Sequence, residues 1–268
     1  DNTRSRGLGD VYKRQGQHFL KDENVKKRIL DTVKNLKVKN IIEIGPGEGS
    51  ITDSLIDISN NYLGIELDQF LFNKLSQKYK KNFNVNFRNE DAALFDTEQL
   101  KSVFEGQYLL VGNLPYYSSN KIVRNFISSE FKPKNLIVMV QKEVADSYLC
   151  KPPKMKFLSN CIQIYSNPEL ILNVDPESFE PMPNVKSSVI NLILKPLKNI
   201  PKAPENVIST IKIGFDSPRK KIRNSFTGIE RDKIEKILLD LNLDLNLRPG
   251  NLTLKNWEQI HNSINNEN

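Results

Sequence analysis

The chain is poor in the residues that build metal and disulfide scaffolds. Its 268 residues include two cysteines, Cys150 and Cys161, and two histidines. The cysteines form no CxxC pair and have no histidine cluster beside them, which argues against a zinc site or a disulfide framework, so no metal is expected. Two reduced thiols in a cytosolic protein are the simpler expectation. No apolar run reaches the roughly 18 residues that a membrane-spanning helix needs, and no charged-then-apolar secretory segment is seen at the start. A cytoplasmic protein without membrane association follows as the expectation.

The hydrophobic share is 38%, enough for a packed core. The length fits one large domain plus a small one. Net charge is +7 and the pI near 9.2. A basic surplus suits a polyanionic partner, because clustered Lys and Arg displace counterions from phosphates. Residues 1–15 carry no apolar periodicity and are set aside from the fold argument as a disordered lead or an artefact.

From Asp22, a candidate N-cap, Val25, Ile29, Val33 and Leu36 recur at helical spacing. Ile41 to Ile44 reads as a buried strand that runs into a glycine-rich turn. Thr52 to Ile58 and Phe70 to Tyr79 read as helices. Tyr62 to Glu66, Val85 to Phe87, Tyr108 to Gly112, Asn135 to Gln141 and Ser187 to Leu194 read as strands. Strands alternating with helices predict an α/β fold, a Rossmann-like doubly wound sheet that is mostly parallel. Lys195 to Glu205 holds three prolines and reads as a linker. Beyond it, Ile229 to Leu241 and Leu252 to Ile264 carry helical apolar faces. The expected domains are therefore 16–196, α/β, and 197–268, small and all-helical.

Glu43-Ile44-Gly45-Pro46-Gly47-Glu48-Gly49 lies where a nucleotide loop belongs, between the first strand and the next helix. Glycines let the backbone turn tightly and approach a ligand closely. Glu66, about 20 residues on, stands where an acid binds both hydroxyls of an adenosine ribose. Nicotinamide and S-adenosylmethionine enzymes share that acid. Two details favour S-adenosylmethionine. The loop is GPGEG, not GxGxxG, and Glu43 precedes the first glycine by two positions, which suits a methionine ammonium. Asp91, after the third strand, can accept the amine of the cofactor's adenine.

Asn113-Leu114-Pro115-Tyr116 ends the fourth strand, at the sheet edge where ligands bind. The amine on adenine N6 is a weak nucleophile because its lone pair is delocalised into the ring. Two acceptors on its hydrogens, the Asn113 side-chain oxygen and the Leu114 carbonyl, would localise that pair. Pro115 stiffens the turn. Tyr116 offers a surface on which a flipped base stacks. No strong general base is needed, so positioning and desolvation carry the catalysis.

These motifs resemble the ribosomal RNA adenine dimethylases of the KsgA type, relatives of the erythromycin-resistance methyltransferases. Gly16-Gln17-His18-Phe19-Leu20 is similar to the family's opening motif, which implies that His18 and Leu20 touch the cofactor. Glu43 to Gly49, Glu66, Asp91 and Asn113 to Tyr116 follow in family order, and Val140 to Ala145 matches a further block. Phe179 to Val189 matches the late F-x-P-x-P-x-V motif, which implies that Phe179 sandwiches the target adenine opposite Tyr116. The residues expected around the cofactor are thus His18, Leu20, Gly45, Gly47, Glu66, Asp91 and Asn113. Phe215 to Ser225 resembles a basic helix of the family's C-terminal domain, and Arg219, Lys220, Lys221 and Arg223 would track RNA phosphates over two helical turns.

The resemblance implies double methylation of two adjacent adenosines in a hairpin loop near the 3′ end of 16S ribosomal RNA. It also implies a role in small-subunit maturation, with immature small subunits as partner, and a monomeric enzyme. Two departures stand out. After Tyr116 the family's usual Asn, Ile, Ser, Thr and Pro give way to Tyr117, Ser118, Ser119, Asn120 and Lys121. Ser147 to Leu158 lacks the usual Arg and Tyr-Gly.

Three other readings compete. An erythromycin-resistance-type enzyme acting on 23S ribosomal RNA is disfavoured by the basic block at Arg219 and by Asn-Leu-Pro-Tyr where Asn-Ile-Pro-Tyr would favour it. A non-catalytic RNA-binding assembly factor would be marked by loss of Asn113 or of the glycine loop, and both are present. A nicotinamide-dependent oxidoreductase leaves the Asn-Leu-Pro-Tyr turn unexplained.

Overall fold

Apolar runs too continuous to expose one side must be buried on both, and that requirement organises the first part of the chain. The computed structural model describes residues 18–226 and 229–266. Gly16 and Gln17 of the opening motif, and residues 1–15, lie outside them. In chain order the elements are β1 (Phe19–Leu20), α1 (Glu23–Leu36), β2 (Asn40–Ile44), α2 (Thr52–Ile58), β3 (Asn61–Ile65), α3 (Gln69–Lys78), β4 (Val85–Arg88), α4 (Leu100–Val103), β5 (Tyr108–Asn113) and α5 (Ser119–Ser128). There follow β6 (Asn135–Gln141), α6 (Lys142–Leu149), α7 (Phe157–Gln163), β7 (Ser166–Val174), β8 (Phe179–Glu180), β9 (Ser187–Leu194), α8 (Pro204–Phe215), α9 (Arg231–Asp240) and α10 (Leu254–Asn266).

The chain forms two compact units. One runs through Ala145 and takes up Glu169–Leu194; the other combines Asp146–Pro168 with Lys195 onward. The first holds a seven-stranded sheet in the order β4-β3-β2-β5-β6-β9-β7. β4, β3, β2, β5 and β6 run parallel to one another, and β9 is antiparallel to β6. From β2 the chain winds outward to β4, then restarts at β5 on the other side of β2. That reversal creates a crevice beyond the strand ends, the usual ligand position in open α/β sheets.

Both faces of the central strands are buried. Ile41, Tyr62, Leu109, Val111, Ile137 and Val189 pack with Val25, Ile29 and Val33 of α1, Leu55 of α2 and Leu75 of α3. The alternate residues Ile42, Leu63, Leu110 and Val138 are buried too, as successive side chains in a strand point to opposite faces. α1 starts where expected: the Asp22 carboxylate accepts the Asn24 and Val25 amides at 2.9 and 3.3 Å, satisfying donors that the first helical turn leaves open.

In the second unit α8 packs against α7 and α10, and α9 against α10. Phe157, Phe215 and Trp257 form a chain of ring contacts with centroids 6.4 and 5.9 Å apart. Gly214 admits the fully buried Trp257, since a Cβ there would lie 2.2 Å from the indole.

The unit boundary departs from the proline-rich linker in one respect. Residues 146–168, counted with the α/β domain on the sequence, pack with the helices. The Tyr165 hydroxyl donates to Glu205 at 2.7 Å, and the Met155 amide to the Gly250 carbonyl at 3.0 Å. The chain therefore crosses between units three times, and the proline-rich linker marks only the last crossing.

Candidate active site

Three parallel strands deliver the site. The C-terminal ends of β2, β3 and β5 open into a cleft of about 680 Å³, within the range usual for cofactor and ligand sites. His18, Leu20, Gly45, Gly47, Glu66, Asp91, Asn113, Leu114, Pro115 and Tyr116, all expected on the sequence, line this one cleft.

The glycine loop follows β2 directly. Gly45 and Gly47 adopt φ of 64° and 59°, left-handed values that cost a residue with a Cβ about 1–2 kcal/mol. The Gly45 amide donates to the Ile65 carbonyl at 2.9 Å, tying the loop to the end of β3. The Gly47 amide donates to Glu66 Oε2 at 2.9 Å, and the Asp68 amide to Glu66 Oε1 at 3.0 Å. Glu66 is thus oriented by backbone on both oxygens. A carboxylate offers about four acceptor positions, so it keeps capacity for ligand hydroxyls. Burial pushes its carboxyl above the ordinary range. Asp91 Oδ1 accepts the Ala93 amide at 2.8 Å; its other oxygen has no partner among the described residues.

Glu43 also lines the cleft, with one of its oxygens committed within the fold. Its Oε2 accepts the Thr52 hydroxyl at 2.7 Å and the Tyr62 hydroxyl at 2.5 Å. Burial raises its carboxyl from the ordinary 4.5 to about 7, against the lowering effect of the two hydroxyls. A carboxyl held protonated in the fold stabilises it at low pH, and this contribution is lost as pH rises from 4.5 through about 7. Glu43→Gln keeps an acceptor for both hydroxyls and removes the titration. Thermal melts across pH 4.5–7.5 are expected to show a flatter dependence in the variant than in the parent; equal slopes would exclude Glu43 as their source.

The Asn-Leu-Pro-Tyr turn leaves β5 with its polar atoms sorted. Asn113 Nδ2 donates to the His18 carbonyl at 2.8 Å. A carbonyl only accepts, so the amide cannot flip, and Oδ1 is its acceptor end. The Leu114 amide donates to the Met139 carbonyl at 3.1 Å, while the Leu114 carbonyl takes no backbone amide among the described residues. The Pro115 carbonyl accepts the Ser118 and Ser119 amides at 3.1 and 2.9 Å, closing a helical turn. Tyr116 is half-buried and its hydroxyl shares a 2.7 Å hydrogen bond with Ser187 of β9. Burial raises the Tyr116 hydroxyl above its ordinary value, which keeps it a neutral stacking surface.

The strand β1 covers this turn. It pairs antiparallel with β8, Leu20 opposite Phe179. His18 Nδ1 donates to the Pro181 carbonyl at 2.7 Å, and its ring lies 5.7 Å from that of Tyr116. Phe179 itself is 1% exposed, packs in the core with Leu20 and Val189, and is not part of the cleft wall. At 1% exposure it offers no open ring face beside Tyr116; it is buried against Leu20 and Val189, which line the cleft.

Three contributors escaped the sequence reading. Phe19 packs against Gly47, where a Cβ would lie 2.9 Å from its ring. Ser187 anchors Tyr116 from 71 residues away, a distance at which sequence carries no local signal. Tyr117 was visible only as a departure; it is 70% exposed and lines the cleft.

The basic block lies in the helical unit and is not a helix. α8 ends at Phe215, a turn follows, and only Ile222–Asn224 is a short 3-10 turn. Pro218 is the reason: it has no amide to donate, and its ring clashes with a helical carbonyl four residues back. The four cations divide. Arg219 and Lys220 are exposed, and Lys221 donates to Asn246 Oδ1 at 2.6 Å. Arg223 is half-buried and pairs with Glu235 at 3.2 Å. Glu235 also accepts from Arg231 at 2.8 Å, and its carboxyl is held below the ordinary range chiefly by Arg231.

A family model described as ribosomal RNA adenine dimethylase matches residues 10–266. The protein from Alkaliphilus oremlandii called ribosomal RNA small subunit methyltransferase A is 33% identical over 93% of this chain and 90% of its own length. The protein of the same name from Clostridioides difficile is 32% identical over 93% and 89%. Among solved structures, a dimethyladenosine transferase from Plasmodium falciparum superposes with a TM-score of 0.80 at 20% identity, covering 93% of this chain and 98% of that one. The 23S rRNA methyltransferase ErmE superposes at 0.72 and 21% identity, over 92% and 99%. At those identities the two structures speak for the fold, and the match through 10–266 speaks for descent: this chain belongs to the ribosomal RNA adenine dimethylase family of methyltransferases.

Proposed function

We propose that this enzyme methylates N6 of two adjacent adenosines, each twice, in a hairpin loop near the 3′ end of 16S ribosomal RNA. Its substrate is the immature small ribosomal subunit, and it works as a monomer in the cytoplasm. The observation that carries the reading is the fixed Asn113 amide. With Nδ2 held by the His18 carbonyl, Oδ1 remains as acceptor beside the unpaired Leu114 carbonyl. Two adjacent acceptors without internal donors suit a group with two hydrogens, an exocyclic amine.

The methyl donor is S-adenosylmethionine. The cleft fits it: Gly47 brings bare backbone under Phe19 where a Cβ would not fit, and Glu66 and Asp91 line the same space. Glu66 is suited to the ribose hydroxyls and Asp91 to the adenine amine. When bound, the cofactor supplies an electrophilic methyl sulfonium. The protein's own part is to seat the base on Tyr116, hold its amine at Asn113 Oδ1 and Leu114 O, and exclude water. The amine's surplus proton leaves after transfer, so no strong base is required.

The small-subunit reading is preferred over the 23S alternative because the relatives at 30% identity or more carry the small-subunit name, whereas the likeness to ErmE is one of fold. The test incubates the protein and labelled cofactor with undermethylated small subunits or with naked 23S RNA. Label at adjacent adenosines of the 16S hairpin is expected; label only in 23S RNA would overturn the reading.

In the helical unit, Arg219 and Lys220 are the cations that meet phosphate, while Arg223 braces the fold through Glu235. Replacing both Arg219 and Lys220 with Ala is expected to lower the slope of log affinity against log salt by about 1.4–1.8, at roughly 0.7–0.9 per phosphate contact. Arg223→Ala is expected to lower thermal stability and leave that slope nearly unchanged. Filter binding over a salt series separates the two.

A further inference from the structure

Resting on that reading, we infer that Tyr117 stacks on the nucleotide next to the target adenosine and so helps select the RNA. The turn closed by the Pro115 carbonyl throws consecutive residues to different sides, since helical neighbours lie about 100° apart. Tyr116 is half-buried, with its hydroxyl held by Ser187. Tyr117 lines the same cleft, yet 70% of it is open to solvent. The Cα atoms of the two tyrosines are about 3.8 Å apart. One ring is therefore anchored inside the cleft and a second stands at its mouth.

The core does not account for the second ring. Its neighbours in sequence, Ser118 and Ser119, are buried, while the large side chain points out. A base drawn from its stack leaves the bases beside it without a partner on one side. An exposed aromatic beside the entry replaces that partner, and base–aromatic stacking tolerates any base because every base has a π-face. An asparagine, the residue the family resemblance leads one to expect here, cannot do this. The contact acts on RNA affinity and on the placing of the strand, not on methyl transfer itself, so Tyr117 is a positioning residue.

The experiment uses the full chain and undermethylated small subunits whose 16S RNA hairpin holds two adjacent adenosines in its loop. Subunits reconstituted with altered 16S RNA carry an abasic site at each hairpin nucleotide flanking the target in turn. Tyr117→Ala is expected to raise KM for RNA roughly 5- to 100-fold, the range of one lost stack. The S-adenosylmethionine dissociation constant, measured separately, should stay the same, and Tyr117→Phe should restore KM. On one of the abasic hairpins, the parent and Tyr117→Ala should become equal. An unchanged KM in Tyr117→Ala overturns the proposal, as does a loss confined to cofactor affinity, which would make the ring a cofactor contact. If the parent enzyme leaves the intact undermethylated subunits unmodified, the 16S reading fails, and this inference with it.

Discussion

Asn113→Ala is expected to lower the rate of methyl transfer by about 10³-fold or more, with cofactor affinity changed only a few-fold. The size follows from what the side chain does. Removing one oriented polar group at a reacting centre typically costs 10²–10³ in rate, and here the loss also removes one of the bonds that hold the start of β1. Asn113 Nδ2 is the bond that holds the His18 carbonyl over the turn. Its deletion removes the acceptor and one tie to β1, while the pairing with β8 and the His18–Pro181 bond keep His18 and Leu20 in place. Asn113→Asp separates these parts. A carboxylate can still accept from the amine, but it sets an oxygen against the His18 carbonyl, so partial activity with a weakened β1 is expected. Single-turnover kinetics with saturating RNA, together with calorimetric titration of cofactor, measure both. Turnover in Asn113→Ala within a few-fold of the parent would sink the assignment.

Gly47→Val is expected to weaken cofactor binding by roughly 100-fold while the chain still folds. The residue sits at φ of 59°, and a Cβ would lie 2.9 Å from the Phe19 ring. The left-handed conformation costs about 1–2 kcal/mol for a residue with a Cβ, and β-branching adds to it. The more damaging consequence is indirect. The Gly47 amide orients Glu66, so a shifted loop misplaces the acid that meets the ribose. With tenfold in affinity per 1.4 kcal/mol, loop strain and a displaced Glu66 together account for two decades. The second unit contains no part of this loop, so its helices should keep their melting behaviour. Titration of the variant with S-adenosylhomocysteine reads the loss; affinity equal to that of the parent would remove the glycine loop from the site.

The parts legible in the sequence share a physical basis. β2, β3, β5, β6 and β9 are buried on both faces for most of their length, so they had to be written mainly in apolar residues, and their bounds agree with the structure to within a residue or two. The edge strand β7 had no such constraint. Most of Ser166–Val174 is exposed or half-exposed, and Pro168 within it reads as a strand breaker, so pattern alone passes over it. The basic block shows the opposite error. Its charge was visible, but the helix attributed to it ignored Pro218, and the pairing of Arg223 with Glu235 depends on α9 folding back against it.

The residues of the cleft were written into the chain at fixed offsets, because a loop after β2, an acid after β3 and a polar turn after β5 converge whenever three parallel strands share one edge. Residue types and strand order therefore determined, without coordinates, that Gly45, Gly47, Glu66, Asp91 and Asn113 would meet. Tertiary structure alone decided how each is aimed: which end of the Asn113 amide is left to accept, that one Glu43 oxygen goes to Thr52 and Tyr62, that Phe179 is buried, and that Tyr117 stands in solvent. Orientation depends on partners such as His18 and Ser187, brought close only when distant segments pack, and no local pattern encodes those partners.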